Sequence, residues 1–233
     1  MLVVAVDTST PAVTAGVVRV ETSSAVTFYP LASRVTVNPR AHAEVLTPQI
    51  LECLQEGGVS AGEVGAVVTG TGPGPYTGLR VGMATAAAFA DALGVPAYGV
   101  CTLDGIAAAV GFDRPLLVVT DARRREVYWA RYDNGKRVEG PAVRRPAEVP
   151  AAPSELVAGS AEHAEFFDLP YTNVASPTPL GLVSVVADRI MAGAAPDPLV
   201  PLYLRRPDAT EPGGPRREPE AIPPPDFITR GVM

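Results

Sequence analysis

An apolar run that closes on an aspartate and leads into a hairpin occurs twice in this chain. Residues 2–6 (LVVAV) run into Asp7, and residues 13–20 and 24–31 follow, joined across Glu21-Thr22-Ser23-Ser24. Residues 115–120 (PLLVVT) run into Asp121, and residues 125–132 and 136–144 follow, turning at Asn134-Gly135. Short β-branched apolar runs favour buried strands, and Asn-Gly is a hairpin-turn pair. After the first hairpin, Asn38-Pro39 predicts a helix start. That helix reaches Glu56, with a kink or a late start caused by Pro48. A strand at 64–69, a glycine-rich loop, a helix over 77–93, a short strand at 95–100 and a short helix over 102–110 follow. After the second hairpin come a proline-rich crossover, a strand at 155–159, an amphipathic stretch at 161–167 and a helix over 179–192. The expectation is an α/β protein of two related halves, 1–110 and 111–206, each a mixed sheet with helices. Seven prolines fall in 207–225, beside Gly213-Gly214. They deny helix and central strand to 207–233, which is predicted to be an extended or disordered tail.

Charge narrows the function classes. The chain has 19 Lys and Arg against 25 Asp and Glu, a formal charge of −6. It lacks the broad basic footprint of a non-specific nucleic-acid binder. Aromatics make up 6% of residues, too few to suggest a base-stacking platform. If RNA is involved, a partner is expected to supply most of the positive surface. Cys53 and Cys101 exclude a disulfide framework and a cysteine-rich zinc site. His42 and His163 are too far apart for a metal-binding pair. The opening MLVVAVDTST reads as a strand rather than a signal peptide. No run of about 18 apolar residues spans a membrane, so a cytoplasmic protein is expected.

Four places could carry chemistry. Gly70-Thr71-Gly72-Pro73-Gly74 sits between a strand and a helix, where a phosphate cradle would lie. It satisfies neither the P-loop nor the dinucleotide pattern, and also reads as a rigid turn using positive φ. Asp7-Thr8-Ser9-Thr10 could hold a hydrated cation and phosphate oxygens, or close a hairpin by side-chain turn chemistry. Asp121 echoes Asp7, so the two turns could face one cleft between the halves. His42 and Glu44 open a helix, and a helix–helix contact is the reading favoured for His42. His163 is expected at the surface, Cys53 in the core, and Cys101 as a candidate thiol without basic neighbours. No GxSxG elbow is present. In the helix over 77–93, Gly78, Gly82, Ala86 and Ala90 recur every four residues, beside Leu79 and Met83. Small residues at that spacing admit a close second helix. Val45, Leu46, Ile50 and Leu54 mark the preceding helix, so the two could form half of a four-helix contact with another subunit, or face their own sheet.

Five motifs in order carry a family resemblance: Asp7-Thr8-Ser9; Arg40-Ala41-His42-Ala43-Glu44 with Pro48; the string from Gly72 to Gly82 (GPGPYTGLRVG); Asp121 to Tyr128 (DARRREVY); and Tyr203 to Ala209 (YLRRPDA). Over about residues 1–210 the chain resembles the TsaB family, the non-catalytic partners of the bacterial tRNA threonylcarbamoyladenosine synthase. Pro75-Tyr76 and Ala43 depart from its usual Ser-Phe and Ser. The resemblance implies an actin-like ATPase (ASKHA) fold of two RNase-H-like halves. It implies a scaffolding and activating subunit that dimerises with a catalytic TsaD and, with the ATPase TsaE, supports threonylcarbamoyl transfer to the adenosine beside the tRNA anticodon. The catalytic paralogue carries an HxxxH metal pair where this chain reads Cys101 to Ile106, without histidine. This chain alone is therefore expected to have no catalytic residues and no metal. The implied contact uses His42, Glu44, Val45, Leu46, Leu79, Arg80, Gly82, Met83 and Ala86. A bulky residue at Gly82 or Ala86 is expected to abolish it and spare the fold. ATP or ADP is expected, if anywhere, at the complex interface, and tRNA is met through the complex. A homodimer through the same helices is a further expectation. The alternatives are a stand-alone actin-like ATP-binding enzyme using Asp7 and Asp121, with Thr8 and Ser9 beside the nucleotide, and a metallopeptidase-like enzyme.

Overall fold

The structure is a computed structural model that describes residues 1–23, 25–38, 41–111 and 113–205. Pro39, Arg40 and the predicted tail from 207 onward lie outside the described residues.

The first sheet begins as a meander of β1 (Leu2–Asp7), β2 (Ala12–Thr22) and β3 (Val26–Val37), each antiparallel to the last. Helix α1 (His42–Glu56) returns the chain to β4 (Val64–Gly70), which pairs parallel with β1. Helix α2 (Tyr76–Leu93) then leads to β5 (Ala97–Val100), parallel to β4. Helix α3 (Thr102–Val110) precedes the second sheet, built from β6 (Leu116–Asp121), β7 (Val127–Asp133), β8 (Lys136–Arg144) and β9 (Leu156–Gly159). Short α4 (Ala161–Ala164) and longer α5 (Pro179–Met191) follow. The strand orders are β3-β2-β1-β4-β5 and β8-β7-β6-β9. The second repeats the first four positions of the first, with one antiparallel meander and one parallel neighbour each. The repeat read from sequence is therefore a repeat of topology, and each sheet has the RNase-H-like order. In both, the central strand ends on its aspartate: Asp7 opposes Thr14, and Asp121 opposes Val127.

Two helices, α3 and α5, do not stay with the sheets they follow. α1 and α2 cover one face of the first sheet, through Leu46, Ile50, Cys53, Ala86 and Ala90 packed on Val4, Val6 and Val67. The opposite face is covered by α5, whose Leu182, Val183, Val186 and Ile190 pack on Val3, Ala5, Val18 and Val68. α3 instead contributes Leu103 and Ile106 to the core of the second sheet, against Leu116, Val118 and Tyr128. α3 and α5 meet backbone to backbone, since a Cβ on Gly181 would lie 2.4 Å from the Gly105 carbonyl oxygen. α5 starts cleanly: Thr178 Oγ1 accepts from the Gly181 amide (3.0 Å), and Pro179 fills the first turn. α1 begins at His42 rather than at Asn38-Pro39, and the Ala41 amide donates to the Asn38 carbonyl. Pro48 lies inside it.

Candidate functional site

The Asp7 turn and the glycine-rich loop are locked into one another. The Asp7 carboxylate is fully buried and accepts from the Thr102 hydroxyl (2.6 Å) and the Ser9 amide (2.9 Å). Burial pushes its pKa up to about 6, against those hydrogen bonds and the charge of His42, which lower it. A Cβ on Gly70 would lie 1.7 Å from Asp7 Oδ2, so glycine there leaves room for the carboxylate. Two of the loop amides are spent within the chain: Thr71 donates to the Val100 carbonyl (2.7 Å) and Gly72 to Thr102 Oγ1 (3.2 Å). Of the loop glycines only Gly72 has positive φ (+91°), whereas a Cβ on Gly74 would strike the Ser9 carbonyl oxygen at 2.1 Å. The loop is a rigid turn, and its glycines mainly admit close neighbours.

The small-residue stripe of α2 continues this contact. The Thr8 hydroxyl donates to the Gly78 carbonyl (2.7 Å), and a Cβ on Gly82 would meet Thr8 Oγ1 at 2.3 Å. This corrects the sequence expectation for the partner contact. Leu46, Leu79, Gly82, Met83 and Ala86 are buried inside their own fold, where the sheet and the Asp7 turn claim them. Of the expected residues only Glu44 and Arg80 are exposed, and His42 and Val45 are half-buried. The outward stripe of α2 is Thr77, Arg80, Ala84, Ala87 and Ala88, beside Ala43, Thr47 and Leu51 of α1. The signal was present in the sequence: a stripe at 78, 82, 86 and 90 leaves 77, 80, 84, 87 and 88 on the other side.

The two aspartate turns face a common cleft, as expected, but with unequal roles. The cleft holds about 260 Å³ and is lined by Ser9, Thr10, His42 and Gly78 on one side and by Thr120, Asp121 and Arg123 on the other. His42 Nε2 donates to the Thr10 carbonyl (3.1 Å), and the ring lies against Gly78 of α2, so it sits at the cleft and in the expected helix–helix contact. Asp7 and Thr8 do not line it. Small-molecule sites usually span ~300–1,000 Å³. The residues present do not fit a nucleotide held by both Asp7 and Asp121. Asp121 is partly exposed and accepts from the Arg123 amide (2.6 Å), with the Arg123 guanidinium at 3.2 Å and His163 Nε2 at 3.7 Å. His163 is thus largely buried rather than a surface residue. It is hydrogen-bonded to Ser160 Oγ through Nδ1 (2.8 Å). Asp121, beyond hydrogen-bond distance, does not complete a nucleophile triad. Burial pushes the Cys101 thiol up to about 12, so the candidate thiol is inert. Among the described residues no three His, Cys, Asp or Glu side chains group as metal ligands, and no helix is long and apolar enough to cross a membrane.

The Asp7 pKa carries a prediction. The carboxyl titrates near 6 when folded and near 3.8 when free. The native state therefore holds the extra proton, and this group's stabilisation, complete at low pH, is lost as pH rises through that window. Lowering the pH from 7 to 5 is expected to add about 1 kcal/mol that an Asp7→Asn variant does not gain. Urea unfolding of both proteins at the two pH values measures the difference; parallel profiles would show an unshifted carboxyl.

The C-terminal stretch fastens both halves. Tyr203 stacks on Tyr76 with centroids 4.8 Å apart, Arg80 lies 3.8 Å over the Tyr76 ring, and Arg80 Nε donates to the Tyr203 hydroxyl (2.7 Å). The Leu202 amide donates to the Thr71 carbonyl (2.8 Å). Arg205 donates to the Ala122 carbonyl (2.6 Å) and pairs with Glu126 (3.3 Å). The sequence reading gave these residues no structural role; the Tyr203 to Ala209 motif marked them.

The chain is similar to known proteins in sequence and in fold. The family model described as "TsaD: tRNA N6-adenosine threonylcarbamoyltransferase" matches residues 35–195. An uncharacterized protein of Mycobacterium tuberculosis is 54% identical over 209 residues, 89% of this chain and 93% of its own. The tRNA threonylcarbamoyladenosine biosynthesis protein TsaB of Escherichia coli is 37% identical over 98 residues, 40% of this chain and 42% of that protein. The solved structure of YeaZ from Pseudomonas aeruginosa superposes with a TM-score of 0.71 at 26% identity, covering 87% of this chain and 99% of that one. The duplicated sheet order, the ordered motifs and these matches agree: the chain has an actin-like ATPase fold and belongs to the TsaB family.

Proposed function

We propose that this chain is the non-catalytic subunit of a cytoplasmic tRNA threonylcarbamoyladenosine-forming complex. It docks on a TsaD-like catalytic subunit through the outward faces of α1 and α2, orders that subunit's site, and works with a TsaE-like ATPase. The observation that carries the reading is the outer face of α2. Ala84, Ala87 and Ala88 are exposed on a helix whose other side is already fully engaged. Ala43, Thr47 and Leu51 of α1 are exposed as well, and small residues at this spacing admit close helix packing. A second copy of the chain would find the same surface at high concentration. Residues 101–106 bring no histidine to the place where the paralogue holds its metal pair. ATP or ADP belongs, on this reading, to the partner's side of the contact, because Asp7 is sealed. That burial also weighs against a stand-alone ATP-binding enzyme. The test is light scattering of the chain mixed with its cognate TsaD-like protein, with and without ATP and the TsaE-like protein. A one-to-one complex is expected. Two unassociated proteins under every condition would overturn the reading.

A further inference from the structure

The acidic chain carries one concentrated basic region. Eight of its 19 Lys and Arg, and only four of its 25 acidic residues, fall in 121–145. That segment is +4, and the remainder of the chain is −10. Not all of its charge is available: Arg131 pairs with Glu139, and Arg137 with Asp104. Four of the eight gather at one place, Arg123 among them paired with Asp121. Arg123, Arg124 and Arg125 from the β6–β7 loop and Arg145 at the end of β8 line a single hollow of about 690 Å³. Val127 opposes Arg144 in the hairpin, which brings the loop and the strand end together. Asp121 and Glu162 are the acidic residues of the hollow, and Asp121 is already paired with Arg123. Phe166 stands on its rim, 66% exposed.

The backbone of the loop supports a role for these side chains. Arg123, Arg124 and Arg125 have φ of 61°, 54° and 62°, three successive left-handed residues without a glycine. A hairpin that only had to turn would use Gly, Asn or Asp there. The conformation is held at its base, where the Ala122 amide donates to the Glu126 carbonyl (3.1 Å) and the Glu126 amide to the Arg123 carbonyl (3.0 Å). Arg205 clamps the same loop from the C-terminal stretch. Strain of this kind, over-determined by its surroundings, is a mark of a functional segment.

We propose that this hollow grips the phosphate backbone of the tRNA substrate and that Phe166 takes an unpaired base. Guanidinium groups bind phosphate oxygens in bidentate fashion, and an exposed aromatic ring beside them stacks on a splayed nucleotide. The negative remainder of the chain repels RNA, so the hollow also fixes which way the complex faces it. Asp121 and Arg123 line both the hollow and the inter-sheet cleft, so the two are continuous. The inference rests on the proposed function and assigns RNA contact to this chain as well as to its partner.

The experiment uses the assembled complex and an unmodified tRNA transcript, with binding followed by fluorescence anisotropy across a salt series. The double variant Arg125→Ala/Arg145→Ala is expected to bind about tenfold more weakly, with the slope of log K against log salt shallower by about 1.5. Phe166→Ala is expected to weaken binding about fivefold without changing the slope. Arg189→Ala, a charge removed from α5 far from the hollow in sequence, is the control and is expected to change neither. Light scattering of each variant complex separates the two levels. If the wild-type subunits do not assemble, the functional reading has failed. If they assemble and the double variant keeps wild-type affinity and slope, the hollow does not hold RNA. If the isolated chain binds ATP through Arg125 and Arg145 while tRNA affinity is unchanged, the hollow is a nucleotide site and the inference is likewise overturned.

Discussion

Gly82→Leu is expected to yield no stably folded protein. The Gly82 Cα faces Thr8, whose hydroxyl would lie 2.3 Å from a Cβ and is itself bonded to the Gly78 carbonyl. A leucine must displace the Asp7 turn from α2, and that turn encloses a buried carboxylate with two hydrogen bonds. Overpacking alone costs about 1–3 kcal/mol. Breaking a buried polar network adds a similar amount for each group left unpaired. Together these approach the ~5–15 kcal/mol that holds a domain folded. Circular dichroism and urea titration give the answer, with loss of the cooperative transition expected. A protein that melts like wild type yet fails to bind its partner would instead put the glycine stripe at the interface, as the sequence first suggested.

Ala84→Arg is expected to have the opposite profile. Ala84 is exposed at the middle of α2, and arginine is a good helix former, so folding is expected to change by less than about 0.5 kcal/mol. In a close-packed helix contact the same side chain leaves a large desolvated charge without a counterion. That costs several kcal/mol, so association with the catalytic subunit should weaken by roughly 100-fold or more. Isothermal titration against the partner reads it directly. Wild-type affinity would move the docking surface off α2. The two variants sit two residues apart and separate the inner face of one helix from its outer face.

Much of the architecture was legible because strands and helices here carry clean periods. α3 runs Thr102–Val110 as predicted, and α2 starts one residue early. β3 was harder: it extends to Val37, six residues past its predicted end. It is the edge strand, and Ser33, Arg34 and Thr36 break the apolar pattern although Ala32 to Val37 still pair with Ala12 to Val17. Arg34 there reaches over to Glu52 and Glu56 of α1. The site was legible as residues and less so as directions. The glycines at 78 and 82 announced close approach, but sequence does not say whether a partner helix or the chain's own turn approaches. Asp7 and Asp121 were a matched pair in sequence, yet Thr102, 95 positions from Asp7, makes one of them interior. The arginine hollow was hidden by the net charge, which averages +4 in one segment with −10 elsewhere. The Asn134-Gly135 turn announced the hairpin, but irregularities between Trp129 and Tyr132 shift its register, so that Val127 opposes Arg144.

The exchange of α3 and α5 between the sheets has a consequence for synthesis on the ribosome. When residue 110 has emerged, every strand of the first sheet is available, but the helix that covers its second face is still some 70 residues away. Val3, Ala5, Val18 and Val68 then have no cover, and α3 has no second sheet to pack on. The second sheet can close on α3 before α5 emerges, but the first sheet stays open on one face until then. Translation at ~5–20 residues per second makes that interval several seconds.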